Sequence, residues 1–314
     1  MKLYLLVTVA TLLFTAGLAA KTITATGRLT CRGEPIPFTK ITLRDDDIIG
    51  NQKMATGSTD SNGFFTITGR GGDGGIGRGR RPDPFVRPEY EYSSIIYGRL
   101  SVGPTIPLFR KQDKTRTLKN KKGKVDFGTV DFNSDECKAY LKFKRAIEKY
   151  RTRVGMKIPV KKLKVLTRVI LNGGTPYATT DKIRIPRNYN VRTSTADHEL
   201  AHIVRHTYDG GLGHFLRDVV RYLYTRNHNC KKRTNNGFAF NEGWASFYSG
   251  GCERVITSAT DFEIEGHVAV GLKDLMARCN STWRNMVNVL IRNRRRIHSF
   301  EEYKAKHKAL YACD

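Results

Sequence analysis

His198 and His202 stand four residues apart in Asp197-His198-Glu199-Leu200-Ala201-His202, an H-E-x-x-H pattern. On a helix that spacing puts both imidazoles one turn apart on a single face. Two ring nitrogens can then reach one metal at about 2.0–2.1 Å. Glu199, one step round the helix, is placed to take a proton from an attacking water. A catalytic zinc usually takes three protein ligands and keeps one position open, and two histidines with a glutamate are a standard set. The downstream candidate is Glu242, in Asn241-Glu242-Gly243-Trp244-Ala245-Ser246-Phe247. It could also be a helix residue favoured by the N-terminal dipole alone. The chemistry implied is hydrolysis by a zinc-activated water, with Glu199 as general base. Tyr248, Tyr208 and His206 are candidate donors to the oxyanion. His206 extends the row by another turn but stands about 12 Å from His198 along the axis, too far to share the metal. His214, His228 and His267 lack a motif and read as surface groups or supports of the ligands.

Those side chains need a scaffold. A helix is expected over 195–207, with Ser194 as its N-cap and Ala196, Leu200, Ile203, Val204 and Thr207 on the side away from the histidines. Tyr140, Phe143, Ile147 and Tyr150 give an amphipathic helix over Asp135–Arg153. Lys164–Leu171 and Lys182–Ile185 alternate as strands. Lys182-Ile183-Arg184-Ile185-Pro186 reads either as an edge strand that pairs with an extended substrate or as an ordinary sheet strand. Further helices are expected near 213–225, 240–249, 260–278, 283–293 and 299–311. Glu265 opens one of them at a position the dipole favours, and a supporting role beside the ligands is the alternative.

The first half has a different period. Lys40-Ile41-Thr42-Leu43-Arg44 and Phe65-Thr66-Ile67-Thr68 alternate strictly, and Arg32-Gly33-Glu34-Pro35 and Asp60-Ser61-Asn62-Gly63 are turn signals between strands. An all-β sandwich is expected. The glycine- and arginine-rich stretch Gly69–Arg81 reads as a loop between strands. Before all this, Met1-Lys2, the apolar run Leu3–Phe14 and the small residues up to Ala20 read as an export signal. No segment offers the roughly 20 apolar residues that a membrane-spanning helix needs. A secreted, extracellular protein is expected, and its six cysteines then suggest disulfides. Proximity along the chain favours Cys230–Cys252 and Cys279–Cys313, which leaves Cys31–Cys137.

Gly27–Pro35, Ile41–Asp47 and Met54–Phe65 resemble the nematode-type transthyretin-like family. The resemblance covers roughly residues 21–130 and implies a secreted β-sandwich that acts as a binding module. Asn241–Phe247, following the H-E-x-x-H helix, resembles the glutamate helix of the gluzincin metallopeptidases. That resemblance implies His198, His202 and Glu242 as ligands of one zinc ion and Glu199 as the base. Positions 202 and 242 are 40 apart, about twice the gap of the best-known gluzincins, and the extra segment is expected to hold the helix Gly213–Thr225.

The expectation is therefore a multidomain chain. It has a signal over 1–20, an all-β transthyretin-like sandwich over 21–132, and a mostly helical α+β, zincin-like metallopeptidase domain over 133–314. The substrate class is peptide or protein. The alternative is an inactive extracellular adaptor that keeps the zinc site. Net charge is +26, carried by both halves, so anionic glycans or lipid head groups are further candidate partners.

Overall fold

The strict alternation of the first hundred residues folds as sheet. The computed structural model describes residues 21–47, 50–71, 81–105, 112–170, 174–225 and 228–313. The expected export signal, and residues 72–80 of the glycine-rich stretch, lie outside the described residues. Two units are present: Met1–Glu89 with Lys111–Phe132, and Tyr90–Arg110 with Asn133–Asp314.

In the first unit the strands are β1 (Lys21–Cys31), β2 (Glu34–Pro35), β3 (Lys40–Asp47), β4 (Gly50–Ser58), β5 (Phe64–Gly71) and β6 (Pro84–Pro88). After β7 (Glu91–Ser94) and β8 (Gly98–Pro104), which belong to the second unit, comes β9 (Gly123–Phe132). β1 pairs antiparallel with β2 and β5 and parallel with β9, while β3 pairs antiparallel with β4 and β6. Alternate residues of these strands are buried: Ile23, Ala25 and Leu29 on β1, Ile41 and Leu43 on β3, Phe65 and Ile67 on β5. The two sheets meet where Gly69 backs onto Met54 and Ala55.

The second unit holds a mixed sheet in the order β11-β12-β10-β8-β7, with β10 (Leu163–Val169), β11 (Tyr177–Ala178) and β12 (Lys182–Pro186). β10 lies parallel between β8 and β12. Residues 90–105, expected in the sandwich, therefore belong to this sheet instead. Leu100 and Val102 of β8 are buried beside Leu163 and Val165 of β10, their register partners. Alternation marks a strand but not its partner, and here the partner lies 63 positions on, as Leu100↔Leu163 shows.

Helix α1 (Asp135–Val154) starts at the Ser134 N-cap and buries Tyr140, Phe143, Ile147 and Tyr150. α2 (Thr193–Tyr208) begins slightly before the expected start; Ser194 lies in its first turn, and Arg192 occupies the N-cap without a side-chain hydrogen bond. α3 (Leu212–Arg221) and α4 (Asn236–Ser249) follow, the latter capped by Asn235. α5 (Glu265–Arg278), α6 (Trp283–Arg292) and α7 (Phe300–Tyr311) complete the mostly helical C-terminal region. Disulfides join Cys230 to Cys252 and Cys279 to Cys313, as chain proximity suggested. No described helix is long and apolar enough to cross a membrane.

Candidate metal centre

α2 buries Ala196, Leu200, Ile203 and Val204, with Thr207 half-buried. The opposite face turns His198 and His202 towards α4, so burial of one stripe aims the other at Glu242. His198 Nε2 lies 3.1 Å from His202 Nε2 and 3.3 Å from Glu242 Oε2, and His202 Nε2 lies 3.2 Å from the same oxygen. Three donors bonded to one tetrahedral ion at about 2.0–2.1 Å would stand about 3.3 Å apart. The near-equilateral triangle fits that ion, and so does its chemistry of two imidazoles and a carboxylate. The three sequence-predicted ligands are thus brought together.

Neighbours hold these three side chains in place. Asn241 Nδ2 donates to Glu242 Oε1 at 2.9 Å. Asn241 Oδ1 accepts from Arg205 Nη1 at 2.9 Å and from His206 Nε2 at 3.0 Å. These donors fix which way the amide points, and the amide fixes the carboxylate. The ring of His202 is edge-on to His198 and stacked on His206, with centroids 4.7 and 5.8 Å apart. His202 Nδ1 is buried without a protein hydrogen-bond partner, so packing rather than a hydrogen bond orients this ring. Burial alone would raise the Glu242 carboxyl, but the charge of His202 and the hydrogen bonds from both imidazoles hold it well below the usual carboxylate range.

Glu199 lines the same cavity, of about 250 Å³, and its Oε2 is buried with no hydrogen-bond partner. Burial pushes its carboxyl up to about 7; His198 opposes the rise and the charge of Glu242 adds to it. A carboxylate with that affinity can hold and release a proton near neutral pH.

The expected oxyanion donors fare differently. His206 lines the cavity but spends its Nε2 on Asn241, while Tyr208 and Tyr248 are not among the residues lining it. His228, without any motif, does line it. Its Nδ1 lies 2.6 Å from Glu265 Oε2, and its Nε2 lies 3.8 Å from Glu242 Oε2. Burial would lower the imidazole, but the Glu265 hydrogen bond and the charges of Glu242 and Glu199 outweigh it and raise it to about 8. Glu265 thus has the supporting position considered from sequence. The disulfide Cys230–Cys252 ties the segment carrying His228 beside α4, and Cys252 Sγ lies 3.8 Å from Glu265 Oε1. β12 lies inside the sheet, and the short β11 takes the edge, with Tyr177 and Ala178 lining the cavity.

The profile of the Transthyretin-like family matches residues 26–87. That stretch lies within β1–β6, so the N-terminal β-rich region carries a transthyretin-like domain and a mostly helical region follows it. No curated protein matches the chain. Among solved structures it is similar to a 9R-lipoxygenase from Cyanothece PCC8801, at 15% identity and TM-score 0.25, over 43% of this chain and 24% of that one. It is also similar to a DUF3823 family protein from Parabacteroides merdae, at 15% identity and TM-score 0.21, over 36% of this chain and 46% of that one. The chain thus spans less than half the length of either.

Proposed function

We propose that this chain is a secreted zinc-dependent hydrolase acting on peptide bonds, built on a zincin-like second unit and carrying the transthyretin-like domain as a binding module. The observation that carries the reading is the triangle of His198 Nε2, His202 Nε2 and Glu242 Oε2, with sides of 3.1–3.3 Å, beside Glu199, whose buried Oε2 has no hydrogen-bond partner. His198, His202 and Glu242 would hold the zinc, which when bound supplies Lewis acidity and makes water a nucleophile near neutral pH.

The rest is work for side chains. Glu199 accepts the proton of the attacking water at Oε2 and passes it to the leaving amine, which its raised proton affinity permits. His228, held at Nδ1 by Glu265, presents Nε2 to the cavity and stabilises the developing oxyanion as a cation. Tyr177 and Ala178 of β11 line the cavity beside His198, His202 and Glu242, and Phe215, Val219 and Phe238 can receive an apolar substrate side chain.

Glu199→Gln in the full-length protein is the direct test. It should keep its metal and lose about 10²–10⁴-fold in peptide hydrolysis, the usual weight of a general base. A variant as active as wild type would end the hydrolase reading. Bound metal with no activity in wild type would select the adaptor.

A further inference from the structure

A second group of metal-ligating side chains lies away from the triangle, in the same unit. Asp209 caps the C-terminus of α2, His214 and Asp218 stand one turn apart on α3, and His298 precedes α7. His298 Nδ1 lies 3.2 Å from Asp218 Oδ1. His214 Nδ1 lies 3.7 Å from Asp218 Oδ2 and 3.8 Å from Asp209 Oδ2. One donor atom from each of His214, Asp218 and His298 falls within 4.8 Å of the others.

Of these contacts only His298–Asp218 is within hydrogen-bonding range. The two His214 distances exceed hydrogen-bonding range. Asp209 Oδ2 is buried with no hydrogen-bond partner, and Asp209 is only 1% exposed. Buried polar atoms are nearly always satisfied, so a buried carboxylate oxygen that faces His214 across a gap too long for a hydrogen bond asks for a ligand between them. Asp209 and Asp218 place two carboxylates in the cluster; the buried cation beside them is Arg205, whose Nη2 is 3.7 Å from Asp209 Oδ2, and the exposed Arg217, Arg221 and Arg295 line the adjoining cavity.

We propose that His214, Asp218 and His298, with Asp209 beside them, form a second metal site that binds zinc. Two imidazoles with carboxylate oxygens suit zinc by donor type, and the one-turn spacing of His214 and Asp218 presents both to one ion. A cavity of about 680 Å³, lined in part by His214, Asp218 and His298, gives the ion a path in from solvent. The site has a structural task. Asp209 Oδ1 accepts the Arg295 backbone N–H at 2.9 Å, which ties the end of α2 to the segment before α7. Its other oxygen faces Arg205, whose Nη1 holds Asn241, so the ion would brace the network that orients Glu242.

Zinc stoichiometry of the full-length protein tests this independently of the first site. Wild type should bind two equivalents, His202→Ala one, and the double variant His214→Ala/His298→Ala one. Cobalt(II) added to metal-free His202→Ala should give visible absorption bands that His298→Gln abolishes, which keeps the test valid if the double variant does not fold. A His202→Ala protein that binds no metal, or a double variant that binds as much as wild type, overturns the proposal. Wild type with one equivalent, lost in the double variant and kept in His202→Ala, would sustain this site while removing the first.

Discussion

Asn241 touches three partners at once: Arg205 and His206 donate to its oxygen, and its nitrogen donates to Glu242. Asn241→Ala removes the hydrogen bond that orients the Glu242 carboxylate and takes the acceptor from Arg205 Nη1. Loss of such an outer contact typically lowers metal affinity about 10–100-fold. Loss of a hydrogen bond to a buried charge costs about 1.5–3 kcal/mol of stability. Competition with a chelator and urea denaturation should show both effects. At this scale the sequence was most informative, because H-E-x-x-H and the Asn-Glu-Gly run each sit on one helix. A helical turn converts such spacing directly into geometry, and His198, His202 and Glu199 take the expected positions. His228 was not legible. Its place depends on Cys230–Cys252 and on Glu265, and those contacts are set by tertiary structure rather than by spacing along one element.

α4 and α5 owe their close approach to Gly243, where an added Cβ would stand 2.5 Å from Val268 Cβ. Gly243→Ala should therefore push the helices apart and cost about 1–3 kcal/mol through overpacking. Adding Val268→Ala should recover much of the loss, a coupling that a double-mutant cycle in urea measures directly. In the first unit, Asp131 Oδ1 at the end of β9 accepts from Thr30 Oγ1 at 2.7 Å and from the Gly33 backbone N–H at 2.8 Å. The Gly33 bond first, then the Thr30 bond, lowers its proton affinity below the ordinary value. A lowered folded value means stabilisation above the unfolded pKa of about 3.9, lost as pH falls through the folded one. The stability difference between wild type and Asp131→Asn should thus be full at pH 7 and shrink below about pH 4, as read by denaturation at each pH. Element types and approximate spans were readable from periodicity, down to β9 and the extra helix α3. Sheet membership was not: β7 and β8 look like any half-buried strands until β10 supplies a partner.

The whole chain carries a net charge of +26. Retention on a column of anionic glycan should weaken steeply as salt rises, because the Debye length shrinks from about 10 Å at 0.1 M to about 3 Å at 1 M. Salt-independent retention would mean that the excess charge is a solvated surface without a partner. Composition told this much, and it fixed neither the ligand nor the face that binds it. The way the polypeptide is threaded has its own consequence. Tyr90–Arg110 leaves the first unit, supplies β7 and β8 to the sheet of the second, and the chain then returns for β9. No single cut therefore separates the halves. A fragment beginning at residue 133 would lack two of the five strands beside α1, and one ending at 132 would drag them along unpaired. A second unit freed by proteolysis with its sheet intact would have to be clipped on both sides of the segment Tyr90–Arg110 that it takes from the middle of the first.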